Sequence, residues 1–517
     1  MNLHPTWLHH QAGSSRALDS QPALEALFET EGARAGVADR VVLIDDATRL
    51  DASAVTDSVK RVAGALAESG VGRGDAVSFQ IPSWWETLVL YRACWRLGAI
   101  ASPIHHAAAD ADVAAVLAAV EPAVVIAAAH LPAARVPDAI RVRGEDDQFG
   151  ELLTAAPHDQ IDADPDDLAV VLFTSGSSGT AKGVLHTNKG LAYKASGLQS
   201  VHGIDQADVI LMPAPMAHIS GLCNAVLVPG AGGLTSVLMD RWNPRAAVDL
   251  ISAEQVTFMM GPPTFFQTMM GAPNFTESAV RSMRLISCGG AGVTPGFVAE
   301  AEERFGAVVK RTYGSTEAPV VATWHAGDPP ERTGSSDGRA IGEVTLRVIG
   351  PATGDAAPLR AGAAGELVLA GPELFVGYAD TRRNEDAILD DTWYRTGDLA
   401  WIDADGWLHI EGRLDDTIIR GGENISAAEV ERCLEAHADV AQAVAVGFAD
   451  DRLGERVCAF VVCVPGADFD LDACSAWFET RGVTKYKWPE RLVQLDEMPV
   501  LPTSGKPDRA VLRDRTG

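Results

Sequence analysis

A chain of 517 residues is longer than one hydrophobic core can organise, so about three or four units of ~150 residues are expected. With 47% hydrophobic and 22% charged residues the composition is that of an ordinary globular enzyme and excludes a disordered or fibrous chain. A formal net charge of -28 excludes a nucleic-acid or acidic-membrane surface, because no basic stripe exists to displace counterions from phosphates; an anionic substrate must be held by a few placed groups.

The N-terminal run MNLHPTWLHHQAGSSR has no apolar core of a leader. Val55, Val59, Val62 and Leu66 recur at helical spacing up to Gly70, a fitting C-cap, and Gly74 to Phe79 turns into a strand. A second helix carries Trp84, Trp85, Leu88 and Leu90 towards Gly98; the two tryptophans suit the core or a contact in a homodimer. His105-His106 has no Asp, Glu or Cys beside it and reads as a satisfied surface pair rather than a metal site. The apolar stretch from Val113 to Pro132 is broken at Glu121-Pro122, so it reads as helix, turn and buried strand, without a membrane crossing. Alternation of strand and helix continues to about Phe266 and predicts doubly wound α/β layers. Cys94, Cys223, Cys288, Cys433, Cys458, Cys463 and Cys474 form no C-x-x-C pair and read as reduced thiols, which with the missing leader predicts a cytoplasmic protein.

Within that alternation, Val170 to Phe173 reads as a buried strand running into Thr174-Ser175-Gly176-Ser177-Ser178-Gly179-Thr180-Ala181-Lys182-Gly183. Backbone N-H groups and hydroxyls in such a loop are free to converge on an anion, a polyphosphate above all. The spacing is neither Walker A nor G-x-G-x-x-G, and a bare Ser/Gly/Thr loop is usually an ordinary turn. The order of residues, however, closely resembles the phosphate loop of the AMP-forming adenylate ligases, the superfamily of acyl-CoA synthetases, peptide-synthetase adenylation domains and beetle luciferases. Ala181 stands where that family usually has proline, which should loosen the loop without removing a donor.

Downstream, VILMPAPMAHISGLCNAVLVPG predicts a strand, a loop holding His218 and an apolar helix; alone, His218 is equally a capping or hydrogen-bonded histidine. FMMGPPTFFQTMM reads first as core, and its Phe258, Met259, Met260 and Phe265 also suit the wall of an apolar acyl pocket. RLISCGGAG is a strand ending at Gly290-Ala291, where either a ligand approaches the backbone or a turn demands glycine. Tyr313-Gly314-Ser315-Thr316-Glu317 gathers an aromatic face, a hydroxyl and a carboxylate, a set that can stack adenine, touch an α-phosphate and offer a hard ligand to Mg2+. Beyond Gly338 the chain turns strand-rich, predicting a β-subdomain. Asp398 ends the motif Trp393 to Asp398 at what reads as a strand end. Arg413, Asp415 and Asp416 precede Gly421-Gly422, and Ser426 with Glu429 forms a capping box. The rest reads as a compact α+β unit with Lys506 in an exposed loop.

These motifs occur in the order the resembling family has them. The resemblance implies that Thr174, Ser175, Gly176, Ser177, Ser178, Gly179, Thr180 and Lys182 grip the β- and γ-phosphates of ATP, with Gly290, Ala291, Tyr313 and Gly314 about the nucleotide. It implies Thr316 at the α-phosphate, Glu317 on Mg2+, Asp398 on the ribose and Arg413 on ribose and phosphate. Lys506 would place its ammonium between carboxylate and phosphate, and His218 would border the acyl carboxylate and the thiol's approach. The expected division is 1–412 for adenylation and 413–517 for a mobile C-terminal domain, which turns about Asp415 to bring Gly421-Gly422 beside the pantetheine of CoA. The implied reaction joins a small carboxylic acid, an apolar monocarboxylate of fatty, alicyclic or aryl type, to CoA. The alternatives are an acid:carrier-protein ligase and a luciferase-like monooxygenase.

Overall fold

The computed structural model describes residues 16–516 apart from 35, 47, 133–135, 137, 146, 175–181, 291, 330, 331, 333, 334, 351–356, 422, 451 and 502–505. The described chain carries four sheets. Two of them form the α/β layers expected from the alternating pattern.

The first has six strands in the order Ile140–Val142, Val124–Ala128, Ala76–Gln80, Ile100–Pro103, Leu168–Thr174, Lys182–Thr187. It is parallel up to Leu168–Thr174, and Lys182–Thr187 closes it antiparallel. The helix Ala52–Glu68 buries Val55, Val59, Val62 and Leu66, the four residues whose spacing predicted it. Asp51 caps its start by accepting from the Ala54 N-H at 2.7 Å, and Gly70, at φ +88°, supplies the left-handed turn after it. Trp84 is buried under the Arg143 guanidinium, 4.3 Å from its ring centroid, and half-buried Trp85 packs edge-on against Phe149. Both tryptophans are thus accounted for inside the fold.

The second sheet has nine strands, in the order Arg339–Ala340, Ala322–Thr323, Val308–Tyr313, Leu285–Gly289, Phe258–Gly261, Val209–Met212, Thr235–Leu238, Val41–Asp45, Thr48–Asp51. The six strands from Val308–Tyr313 to Val41–Asp45 run parallel. Their apolar runs follow from burial on both faces. The loops that leave their carboxyl ends carry Met216 to His218, Gly289-Gly290 and Tyr313 to Glu317, the place where open α/β sheets hold ligands.

The predicted β-subdomain is a five-stranded sheet of Thr345–Ile349, Gly365–Ala370, Trp393–Ile402 and Ile388–Leu389, with Leu408–Arg413 also paired to Trp393–Ile402. The last sheet orders Glu423–Ser426, Thr417–Arg420, Gly454–Cys463 and Val440–Asp450, with Arg491–Gln494 parallel to Gly454–Cys463. The helices Ala427–Glu435 and Leu471–Thr480 bury Val430, Leu434, Cys474 and Phe478 in one cluster with it, giving the expected small α+β body. Ser426 caps its helix by accepting from the Glu429 N-H at 3.2 Å, but the carboxylate of Glu429 is taken by Lys487 at 2.7 Å, so the reciprocal half of the predicted capping box is replaced by an ion pair.

By contact density the chain divides into two compact units, residues 1–346 with 369–394 and residues 347–368 with 395–517. All seven cysteines are free thiols. Among the described residues no helix is long and apolar enough to cross a membrane.

Candidate active site

In the first unit the site is built outward from the hairpin Leu168–Thr174 and Lys182–Thr187, whose register sets Thr174 opposite Lys182. Ser175, Gly176, Ser177, Ser178, Gly179, Thr180 and Ala181, which connect these ends, lie outside the described residues. Gly183 has little room for a side chain: a Cβ there would stand 3.1 Å from Ala379 Cβ and 3.2 Å from the Phe173 ring. That close approach lets residues 376–379 lie along the strand, with Ala379 N-H donating to Gly183 O at 2.8 Å and Leu185 N-H to Gly377 O at 3.0 Å. Tyr378 is delivered by this segment. Its ring centroid is 5.7 Å from Lys182 Nζ, and its hydroxyl donates to Glu317 Oε1 at 2.7 Å.

The turn from Tyr313 to Glu317 is fixed from several sides. A Cβ on Gly314 would fall 2.3 Å from Val320 N, so only glycine permits the chain to fold back there. Ser315 N-H donates to Ala318 O at 3.0 Å, and Ser315 Oγ accepts from Ala318 N-H at 3.1 Å. Val320 adopts φ +41°, a costly conformation for a β-branched residue, and its carbonyl is held at 2.8 Å by Lys194. Lys194 and Glu373 form an ion pair at 2.9 Å with each residue only 1% exposed. His186, on the same face of its strand as Lys182, donates from Nε2 to Thr316 O at 2.8 Å. Burial depresses its pKa to about 4, so the ring is neutral and the donor tautomer is set by its carbonyl partner. Burial also raises the Tyr378 phenol well above its ordinary value, with the Glu317 charge adding to the effect. The two motifs read separately from sequence are therefore bound together through Tyr378 and His186.

Strand pairing sets Gly289 beside Thr312, and a Cβ on Gly289 would meet Thr312 O at 2.2 Å. Gly290, at φ +78°, has open space where a Cβ would stand. Ala291 is outside the described residues. His218 occupies the N-cap position of Ile219–Leu222, yet its side chain makes no cap hydrogen bond; its ring lies 5.2 Å from His105, which stacks on His106 at 4.6 Å. The expected surface pair is thus a half-buried stack ending at His218. Among the described residues no three His, Cys, Asp or Glu side chains converge as a metal-binding group.

The apolar segment needs a correction. Phe258 and Met259 are fully buried in opposite cores, because their strand is covered on both faces, and neither lines an open wall. Met260 accepts a contact from Asn224 Nδ2 at 2.9 Å, and Asn224 sits in a π-helical turn, Cys223–Leu227, that the sequence did not signal. Half-buried Phe265 lies across Gly261, where a Cβ would be 2.6 Å from its ring, and stacks on Trp242 at 4.3 Å.

In the second unit Asp398 lies within the strand Trp393–Ile402 rather than at a strand end, paired in register with Arg413. Arg413 Nη1 donates to Asp398 Oδ1 at 2.9 Å, and Gly397 before it adopts φ +69°, a left-handed conformation that favours glycine. Lys506 is exposed as a residue. Its ammonium nevertheless stands among protein: desolvation lowers its pKa from the ordinary lysine value, the like charge of Arg413 lowers it further and Asp398 opposes both. The structure so brings Asp398, Arg413 and Lys506 into one electrostatic group. Gly421, at φ +60°, donates its N-H to Leu453 O at 2.7 Å, and Gly422 is outside the described residues. Asp415 and Asp416 form a short 3-10 turn with Leu414, and Asp416 is paired by Arg509 at 3.2 Å and Arg513 at 2.9 Å. The expected bare linker is therefore clamped.

Comparison with known proteins identifies the family. The family profile described as AMP-binding enzyme matches residues 29–379, and that of the AMP-binding enzyme C-terminal domain matches 429–506. The chain is 32% identical to a medium-chain fatty-acid--CoA ligase of Escherichia coli, covering 92% of this chain and 87% of that one. It is also 32% identical to an indoleacetate--CoA ligase of Aromatoleum aromaticum, covering 85% and 88%. ATP-bound MatB from Rhodopseudomonas palustris superposes with a TM-score of 0.87 at 26% identity, over 95% of this chain and 98% of that one. The chain belongs to the AMP-binding enzymes and, among them, to the AMP-forming acid:CoA ligases.

Proposed function

We propose that this ligase joins an apolar monocarboxylate, of fatty, alicyclic or aryl type, to CoA in two half reactions in the cytoplasm. In the first, a carboxylate oxygen attacks the α-phosphorus of ATP and the bond to the pyrophosphate oxygen breaks, leaving an acyl-adenylate. In the second, the CoA thiol loses its proton, its sulfur bonds to the acyl carbon and AMP leaves. The observation that carries the reading is the grouping of Asp398, Arg413 and Lys506: a carboxylate able to accept from ribose hydroxyls beside two cations suited to phosphate and carboxylate oxygens.

Support for the phosphate end comes from Lys182, held at the mouth of its hairpin, and from Thr316, whose carbonyl is fixed by His186. Mg2+ bound there would neutralise charge on the phosphates, and Glu317, with a carboxylate already oriented by Tyr378, is the residue to hold it. Gly290 leaves space for adenine near Tyr313. The remaining loop residues from Ser175 to Thr180, with Ala291, Gly421 and Gly422, keep the roles the family resemblance implies. Residues 413–517 are taken to rotate about Asp415 relative to residues 1–412, so that Lys506 serves the first half reaction and gives way to the face of Gly421-Gly422 for the second. Phe265, stacked on Trp242 over Gly261, and Met260 beside Asn224 favour an apolar acid. The relatives named for medium-chain fatty acid and indoleacetate are consistent with that class.

The test is a pyrophosphate-release panel of octanoate, cyclohexanecarboxylate, indole-3-acetate, ferulate and malonate, each with CoA, with a phosphopantetheinylated carrier protein, and with neither. Thioester formation on CoA from one of the first four is expected. Response to malonate alone would overturn the apolar reading, and thioester formed only on the carrier would replace CoA as acceptor.

A further inference from the structure

Arg509 lies three residues after Lys506, at the start of the helix Arg509–Asp514 in the second unit. That helix has anchors of its own: Leu512 is buried with Val444, Val446, Phe460 and Met498, and Asp508 caps the first turn by accepting from the Val511 N-H at 3.2 Å. The segment carrying Lys506 doubles back on its own approach, with Leu501 N-H donating to Lys506 O and Asp508 N-H to Pro499 O, each at 2.8 Å.

Arg509 adds three further ties. Its Nη1 donates to Ala445 O at 2.7 Å, its Nη2 donates to Glu431 Oε2 at 3.0 Å, and its Nε stands 3.2 Å from Asp416 Oδ2. Ala445 belongs to Val440–Asp450, the strand that ends the last sheet, and Glu431 accepts the N-H of the same residue at 2.7 Å. Acid and cation together satisfy both polar backbone groups of one edge residue. Asp416 follows Asp415 in the 3-10 turn, and Arg513 holds its other oxygen at 2.9 Å. A planar fork of donors can serve such a set at fixed angles where an ammonium could not. One guanidinium thus ties the lysine segment to the sheet edge and to the turn.

We propose that Arg509 is a positioning residue for adenylate formation, fixing the segment that carries Lys506 against Ala445, Glu431 and Asp416. The inference rests on the reading above that Lys506 serves the first half reaction. Gly421, read as serving the second, is held by other bonds: the hairpin of Thr417–Arg420 and Glu423–Ser426, and its own N-H on Leu453 O. Loss of Arg509 should therefore fall on one half reaction.

The experiment compares R509M, R509M/E431Q and K506A with the parent enzyme. Pyrophosphate exchange with octanoate reads the first half reaction; single-turnover thioester formation from supplied octanoyl-AMP and CoA reads the second, and urea unfolding is recorded for each variant. R509M should slow exchange about tenfold to a hundredfold, in kcat rather than in the KM for ATP, while thioester formation changes less than about twofold. It also takes the paired cation from Glu431, so its urea midpoint should fall. Glu431→Gln in that background removes the stranded charge and keeps an acceptor for the Ala445 N-H, so the midpoint should recover while exchange stays slow. Exchange that recovers together with stability, R509M as fast as the parent, or equal loss of both half reactions would each overturn the proposal. Should R509M not fold, the double variant decides: exchange within about twofold of the parent rejects the role. Unaltered exchange in K506A would overturn the reading of Lys506 and this inference with it. Abolished exchange in K506A beside unaffected exchange in R509M would overturn the inference alone.

Discussion

Tyr378 donates its hydroxyl to Glu317 Oε1 at 2.7 Å, joining the segment beside the Lys182 strand to the turn after Tyr313. Glu317 is buried, so its carboxylate cannot replace that donor with bulk water. Tyr378→Phe should therefore remove about 1.5–3 kcal/mol of orientation from the carboxylate, read as a roughly tenfold to hundredfold fall in kcat/KM for ATP. A variant whose kcat/KM for ATP stays within about twofold of the parent would separate Tyr378 from Glu317.

The buried Lys194–Glu373 pair holds Val320 at positive φ through its carbonyl. Lys194→Met should strand a buried carboxylate and cost about 3–5 kcal/mol in urea unfolding. Adding Glu373→Leu should return much of that loss, because the uncompensated charge is then gone. Adenylate formation should stay impaired in both variants, since the Val320 carbonyl still lacks its donor. Full recovery of adenylation in the double variant would show that the turn does not depend on Lys194.

Acid sensitivity follows from buried neutral histidines. Burial depresses His186 to about 4 and His202 to about 3, the latter also under the charges of Lys310 and Lys194. The unfolded chain binds these protons from about pH 6.5 downward, whereas the folded chain does not until near the depressed values. Stability thus rises with pH through that window and is lost on acidification, by about 1.5 kcal/mol for each histidine between pH 6.5 and 5. His186→Gln keeps an amide donor for Thr316 O without a titrating ring. Its urea midpoint should fall less than the parent's between pH 7.5 and 5, and an equal fall would count against a buried neutral His186.

The division between what sequence could and could not supply follows chain distance. Lys182, Thr316, Glu317, Asp398 and Lys506 lie in short local motifs, and the α/β, β and α+β regions follow from periodicity that each segment carries on its own. Tyr378, Lys194 and Glu373 reach the Tyr313 turn from remote parts of the chain, so no local pattern marks them. His186 had a usable signal: at four residues after Lys182 in a strand it must share that face. Phe258 and Met259 were open to a pocket reading because an apolar run looks alike whether it lines a cavity or is sealed inside a parallel sheet. Asp416 read as a linker residue because charged neighbours in a turn say nothing of Arg509 and Arg513, which arrive from the C-terminal helix.

Glu411 gives the last prediction, because it lies before Asp415 and is bonded to residues after it. Its carbonyl accepts from Ser426 Oγ at 2.6 Å, and its carboxylate takes Trp401 Nε1 at 2.8 Å and Arg432 Nη2 at 3.3 Å. Gly412 has no side chain where Ala428 Cβ would be 3.2 Å away, which lets this close approach occur. If the chain turns about Asp415 between half reactions, the Ser426 and Arg432 contacts must break while Trp401 stays. They therefore favour the arrangement seen here, in which Lys506 joins Asp398 and Arg413. Arg432 is partly exposed, so the ion pair is worth at most about 1 kcal/mol. Arg432→Met should lower pyrophosphate exchange by roughly twofold to fivefold and leave thioester formation from supplied acyl-adenylate unchanged or faster. Lys506→Ala should provide the reference: on the proposed role it is expected to abolish adenylate formation and spare thioester formation. Slower thioester formation in Arg432→Met, with exchange intact, would mean that these contacts favour the second half reaction instead.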